Sequence, residues 1–165
     1  MSALNPPLRV AVIGAGNCSP ELATVAYEVG QRIAQQGWHL VCGGRGGVMA
    51  AACEGAQQAG GYTLGILPDN DPRSGNPYLS TAIATGLGEG RNLLVVMNAD
   101  GVLAIGGAAG TLSEIAYTLY YRKPLVLLHS WHLQPPDAPL DPMPSVVQSP
   151  QAAIERLAKL LSSVS

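Results

Sequence analysis

Gly106-Gly107-Ala108-Ala109-Gly110-Thr111-Leu112-Ser113-Glu114, entered from Val102-Leu103-Ala104-Ile105, is the stretch on which the reading of this chain turns. The apolar run Val102 to Ile105 has the length and composition of a strand buried on both faces. Gly106 to Gly110 carries almost no side-chain bulk, so its backbone amides are open to whatever approaches. Thr111-Leu112-Ser113-Glu114 has the spacing of a capping box, which predicts a helix starting at Thr111. Strand, glycine turn and helix N-terminus together aim unpaired N–H groups and the positive end of a helix dipole at one spot, which favours an anion, most often a phosphate. A glycine-rich turn can also be nothing more than a tight connection. The chain makes the same move twice more, which favours the ligand reading.

Upstream, Leu8 to Ile13 reads as a first strand, followed by Gly14-Ala15-Gly16-Asn17-Cys18 and then Ser19-Pro20, an N-cap with proline at the first helical position. Leu22, Val25, Ala26, Val29 and Ile33 recur at helical spacing, and Gly37 supplies the stop. Trp38 to Cys42 is a second strand, feeding Gly43-Gly44-Arg45-Gly46-Gly47 and a small-residue helix over Val48 to Ala59. Tyr62 to Leu67 is a third strand, and the polar, proline-broken run Pro68 to Pro77 is a loop. Ser80 to Thr85 is a fourth strand; Gly86-Leu87-Gly88-Glu89-Gly90 then leads into a helix over Arg91 to Met97. Downstream of the central helix, which Lys123-Pro124 ends, come a strand at Leu125 to Leu128 and a Pro-rich connection over 129–148 that holds Val146-Val147 as a brief strand. Ser149-Pro150 starts a last helix with Ile154, Leu157, Leu160 and Leu161 inward. Alternating strands and helices predict one Rossmann-like α/β domain over 1–165, with 1–7 a loose leader and a parallel sheet of about six to seven strands carrying helices on both faces. Ligands of such sheets bind outside the carboxyl ends of the strands, where all three glycine loops fall.

Composition narrows the function classes. The chain of 165 residues has a net charge of −2, 12% charged residues, 20 Gly and no Phe. That balance offers no general attraction to nucleic acid, so an anion must be held by local geometry. No apolar run is long enough to span a membrane and no signal peptide is visible, so the expected compartment is the cytoplasm. Cys18, Cys42 and Cys53 lack the spacing of a disulfide framework or a zinc site.

Individual residues sharpen the picture. Gly14-x-Gly16 imitates a dinucleotide fingerprint, yet Ser19 replaces its third glycine, and Arg45 stands near where a ribose-binding acid belongs. NAD is therefore not expected, and Arg45 suits a phosphate or is a plain exposed loop arginine. Neither Lys123 nor Lys159 is placed for a Schiff base, so pyridoxal phosphate is not expected either. Arg91 falls in the first turn of a helix, the wrong end for a cation. A bound anion removes that conflict, whereas pairing with Glu89 accounts for it without a ligand. Glu114 either completes the capping box or acts beside the phosphate turn as an acid, a base or a ligand contact, and both roles stay open. Asp69 and Asp71 form an acidic pair that reads as a solvated loop, and His39, His129 and His132 are scattered; no metal site is assigned.

Gly43-Gly44-Arg45-Gly46-Gly47-Val48-Met49, Arg91-Asn92 and Gly107-Ala108-Ala109-Gly110-Thr111-Leu112-Ser113-Glu114, in this order over about residues 8–165, resemble the LOG-like superfamily of Rossmann-type proteins, once labelled possible lysine decarboxylases. The superfamily includes phosphoribohydrolases that cleave the N-glycosidic bond of a nucleoside 5′-monophosphate, and molybdenum cofactor carrier proteins. The enzymes carry P-G-G-x-G-T-x-x-E and an Arg-Lys pair; here Gly106 stands for the proline, Ala108 for the second glycine and Asn92 for the lysine. Arg91 and Glu114 match the enzymes' catalytic arginine and glutamate. The short chain and Arg91-Asn92 look more like the carrier branch. The resemblance thus implies a non-catalytic carrier of molybdenum cofactor or a similar phosphorylated heterocycle, with the cytokinin-activating hydrolase as the alternative. The amides of Gly107, Ala108, Ala109, Gly110 and Thr111 are expected to hold the phosphate, with Gly14, Gly16, Asn17, Gly43, Gly44, Arg45 and Gly46 around the rest. Arg91, Asn92 and Glu114 complete the set. Surplus apolar residues in Leu93 to Met97, together with Tyr117, Tyr120 and Tyr121, predict a subunit contact and a homodimer or homotetramer.

Overall fold

Residues 6–163 are described by the computed structural model; of the expected leader over 1–7, all but Pro6 and Pro7 lies outside them. In chain order the elements are β1 (Arg9–Gly14), α1 (Pro20–Gln35), β2 (His39–Cys42), α2 (Val48–Gln58), β3 (Thr63–Leu67), β4 (Thr81–Ala84), α3 (Asn92–Met97), β5 (Gly101–Ile105), α4 (Ala109–Tyr120), β6 (Leu125–Leu128), β7 (Ser145–Val147) and α5 (Pro150–Ser162). The seven strands form one sheet in the order β4-β3-β2-β1-β5-β6-β7, with every neighbouring pair parallel. The order reverses between β1 and β5, whose last residues, Gly14 and Ile105, lie opposite each other. Loops leaving these two strands therefore diverge to opposite faces and leave a crevice between them.

Side chains alternate across the sheet with the period of two that strands impose. Val10 and Val12 of β1, with Leu103 and Ile105 of β5, enter one core with α1, α2 and α5; Ala11 and Ile13, with Val102 and Ala104, enter the other with residues of α3 and α4. Both strands are buried on both faces, and each Val, Leu or Ile taken fully out of water contributes about 1.5–3 kcal/mol. Helices on both faces of a parallel sheet are the architecture expected from the sequence. The helices α1 and α2 approach so closely that a Cβ added at Gly30 meets Ala52 O at 1.9 Å, and one at Gly55 meets Tyr27 O at the same distance. Glycine at both positions is what permits this contact.

Ser19 and Ser149 cap α1 and α5 through their hydroxyls, each followed by proline, as their sequence signature predicts. The central helix departs from expectation. It begins at Ala109, not Thr111, because Gly106 and Gly107 take φ of +57° and +132° and complete the turn within two residues. Thr111 is thus the third helical residue, and its hydroxyl accepts a hydrogen bond from Ala108 N at 3.4 Å. Glu114 consequently does not close a capping box. The helix ends before Lys123-Pro124: Arg122 takes φ of +53°, and the amides of Arg122 and Lys123 return to Leu119 O and Thr118 O. That is the Schellman arrangement, formed here without glycine. The expected helix over Arg91 to Met97 is a 3-10 turn, Gly88–Arg91, running into α3. Among the described residues, no helix is long and apolar enough to cross a membrane.

Candidate functional site

A crevice of about 200 Å³ opens at the reversal point between β1 and β5. Gly14, Ala15 and Gly16 form one wall, and Ala108, Gly110 and Thr111 at the amino end of α4 form the opposite one. Leu112 N is the first amide of α4 to bond back along the chain, to Ala108 O, so the preceding helical amides have no partner within the helix. These amides and the positive end of the helix dipole meet in the crevice. The glycine loop after β2 closes on the loop after β1: Val48 N donates to Ala15 O at 3.1 Å, and a Cβ at Gly47 would lie 2.4 Å from that oxygen.

Arg91 crosses beneath the crevice and is only 5% exposed. Its Nη1 donates to Asn92 Oδ1, and its Nη2 donates to Gly43 O at 3.4 Å. Glu89 Oε2 lies 3.7 Å from Nη1, but that carboxylate is largely exposed, so the pair is weak. Arg91 Nε is buried with no partner among the described residues. Five guanidinium donors are thus incompletely used by the protein, in a place where an unmet donor is costly. Asn92 fixes the arrangement by also donating from Nδ2 to Ser113 Oγ at 3.0 Å, which joins α3 to α4.

Glu114 reaches the crevice from the second turn of α4 and is 6% exposed. Burial pushes its carboxyl up to about 8; Arg91 pulls it down and Glu89 pushes it further up. The group is therefore mostly protonated at neutral pH, able to donate a hydrogen bond and free of charge that would repel an anion. No local sequence signal announces its burial.

The other expected site residues fall into three groups. Arg45 lines the crevice and is paired with Asp69 at 3.4 Å. Gly43, Gly44 and Gly46 stand behind it: Gly43 holds Arg91 through its carbonyl, Gly44 N donates to Cys42 Sγ at 3.3 Å, and Gly46 backs onto Gly16 O. Asn17 and Ala109 are outside the lining, and Gly107 faces a neighbouring recess with His129, Ser130, Trp131 and His132. Ala15, Met49 and Glu89 also line the crevice, beyond the residues expected from the sequence. Ala15 sits between two expected glycines and Met49 lies just past the second glycine loop, so position carries the signal that residue type does not. Asp71 is engaged by Arg73 at 2.9 Å, as a surface loop residue is.

Residues 7–154 match the SLOG cluster4 family. The chain belongs to that family. Its fold and its three glycine motifs accord with the LOG-like resemblance seen in the sequence. The molybdenum cofactor binding protein from the phototrophic bacterium Rippkaea orientalis superposes with a TM-score of 0.82 at 35% identity, covering 96% of this chain and 98% of that one. The Moco carrier protein from Chlamydomonas reinhardtii gives a TM-score of 0.83 at 33% identity, covering 96% and 99%. The cytokinin riboside 5′-monophosphate phosphoribohydrolase of Mycobacterium tuberculosis is 30% identical over 127 residues, which is 67% of this chain and 64% of the enzyme. The Rippkaea orientalis cofactor binding protein and the Chlamydomonas reinhardtii carrier thus match this SLOG cluster4 member over nearly their whole length, and the hydrolase likeness is more partial.

Proposed function

We propose that this protein binds and carries molybdenum cofactor, or a closely similar phosphorylated heterocycle, in the crevice between β1 and β5. The observation that carries the reading is the buried, incompletely bonded guanidinium of Arg91 beside the open amides of α4 and the raised carboxyl of Glu114. Amides at the amino end of α4, those of Gly110 and Thr111 among them, hold the phosphate, as helix N-termini do. Arg91 supplies charge from below, Arg45 supplies it from the rim, and protonated Glu114 donates a hydrogen bond. The loops Gly14 to Asn17 and Gly43 to Gly46 shape the remaining wall. Backbone amides bind a ground-state phosphate without developing charge, which suits carriage better than bond cleavage.

The second reading, hydrolysis of a nucleoside 5′-monophosphate, draws on the survival of Arg91 and Glu114 together in one crevice and on the hydrolase relative. It is disfavoured by Asn92, an uncharged residue whose two polar atoms are already engaged with Arg91 and Ser113. Losing one electrostatic donor typically slows an enzyme by roughly 100- to 1000-fold. We further propose that the chain is one domain acting in the cytoplasm as a homodimer or homotetramer, without nucleic acid or membrane partners. Mass spectrometry of small molecules released from freshly purified protein tests the ligand reading. A pterin phosphate is expected, and a bare nucleoside monophosphate contradicts it.

A further inference from the structure

The loop that leaves β6, His129-Ser130-Trp131-His132, lies at the same carboxyl edge of the sheet as the phosphate turn, because Leu128 and Ile105 end adjacent strands in register. Between the two loops is an open recess of about 340 Å³, lined by Gly106, Gly107 and these four residues. Consecutive residues of one turn therefore face two spaces: Gly106 and Gly107 face the recess, while Ala108, Gly110 and Thr111 face the crevice. Ser130 Oγ donates to Gly106 O at 2.5 Å, which fixes the β6 loop to the turn. His129 takes φ of +50°, a left-handed conformation that is strained for a residue with a Cβ and that surrounding structure must hold in place.

Pockets for organic ligands run to about 300–1,000 Å³, whereas the crevice measures about 200 Å³. It accommodates the phosphorylated end of a ligand and leaves the remainder outside. The recess adjoins it across one turn and has the chemistry that a flat heterocycle needs. Trp131, 38% exposed, is among the residues lining the recess, and aromatic rings stack on heterocyclic ones largely independently of their substituents. His129 and His132 offer imidazoles, each able in its neutral form to donate one hydrogen bond and accept another. A pterin edge presents that same mixture of donors and acceptors.

We propose that this recess is a second subsite of the same binding site, taking the planar heterocycle of a ligand whose phosphate lies at the amino end of α4. The inference rests on the carrier reading of the crevice and adds to it the orientation of the cargo and the residue that selects it. Trp131 is the stacking platform, and the ligand lies across the Gly106 to Thr111 turn.

Calorimetric titration of the whole protein with inorganic phosphate and, separately, with a pterin monophosphate tests it. The pterin monophosphate should bind more tightly than inorganic phosphate. Trp131→Ala should weaken the pterin monophosphate by about 5- to 150-fold, the range of one lost stacking contact, and leave inorganic phosphate unchanged. Trp131→Phe, which keeps a ring, should retain most of the affinity. Equal pterin monophosphate affinity in the unmodified protein and Trp131→Ala overturns the subsite while leaving the crevice reading standing. An equal fall for both probes assigns Trp131 a structural role and also overturns it. Failure of the unmodified protein to bind either probe removes the crevice reading and the subsite together.

Discussion

The carboxamide oxygen of Asn92 accepts a hydrogen bond from Nη1 of Arg91, one position before it in the chain. Adjacent residues thus divide the work: one brings the charge into the crevice and the other holds it there through α4. Asn92→Ala should leave donors of Arg91 unpaired in a buried place and cost about 1–3 kcal/mol of stability, measurable by urea denaturation. Asn92→Lys should be no milder, since an ammonium has no acceptor for Arg91 and adds a second buried cation.

Glu114 makes anion binding depend on pH in a stated direction. Its carboxyl is raised to about 8, so a buried negative charge forms beside the anion as pH rises through that value. Sulfate, which keeps its own charge throughout, should bind about 10- to 100-fold more weakly at pH 9.5 than at pH 6.5, the scale of one like charge a few ångströms away in a partly dry site. Glu114→Gln should flatten the profile. Folding carries the same signature: with the folded value raised, the stabilising contribution is complete below about 4.5 and is lost as pH climbs through 8. Glu114→Gln should therefore raise the melting temperature at pH 9.

Gly110 separates occupancy from folding. A Cβ there meets nothing nearer than Asn92 Nδ2 and Glu89 Oε2, both at 3.9 Å, so Gly110→Leu fits the backbone and projects into the crevice. It should abolish sulfate binding while gaining up to about 1 kcal/mol of helix propensity. Gly14→Ala is the contrast: its Cβ would lie 2.6 Å from Ile105 O, and loss of the fold itself is expected.

Tyr117 and Tyr120 of α4 and Tyr121 just past its end are three and four residues apart, at 38%, 79% and 41% exposure. Met97 at the end of α3 is also exposed. A helix already packed on a sheet has no use for this second apolar stripe unless another chain covers it. Light scattering at micromolar concentration should give a dimer or tetramer, and Tyr120→Glu should shift it toward the monomer. A monomeric unmodified protein removes the proposal.

Local chemistry made much of this molecule readable from its residues. Ser19-Pro20 and Ser149-Pro150 announce helix starts because capping and the missing proline N–H are one-residue effects. Val102 to Ile105 announces a central strand because burial on both faces demands an unbroken apolar run. Thr111 misled because the capping-box pattern is blind to φ: Gly106 and Gly107 turned the chain early, and Ala109 and Gly110 became helical. Burial of Glu114 and Arg91 depends on tertiary assembly, Arg91 bonding to Gly43 from 48 residues earlier, which no linear pattern displays. Met49 belongs to the crevice through α2, which starts directly after the second glycine loop, and Glu89 through the 3-10 turn that leads into α3.

Carriage and hydrolysis differ most plainly in what becomes of the bound molecule. Purified protein is to be incubated with molybdenum cofactor and, in parallel, with adenosine monophosphate, following cofactor integrity and free adenine over hours. The carrier account predicts that the cofactor stays bound and protected from oxidation while the nucleotide survives intact. Robust release of adenine by the unmodified protein, lost in Glu114→Gln, contradicts it and makes the phosphoribohydrolase reading the correct one.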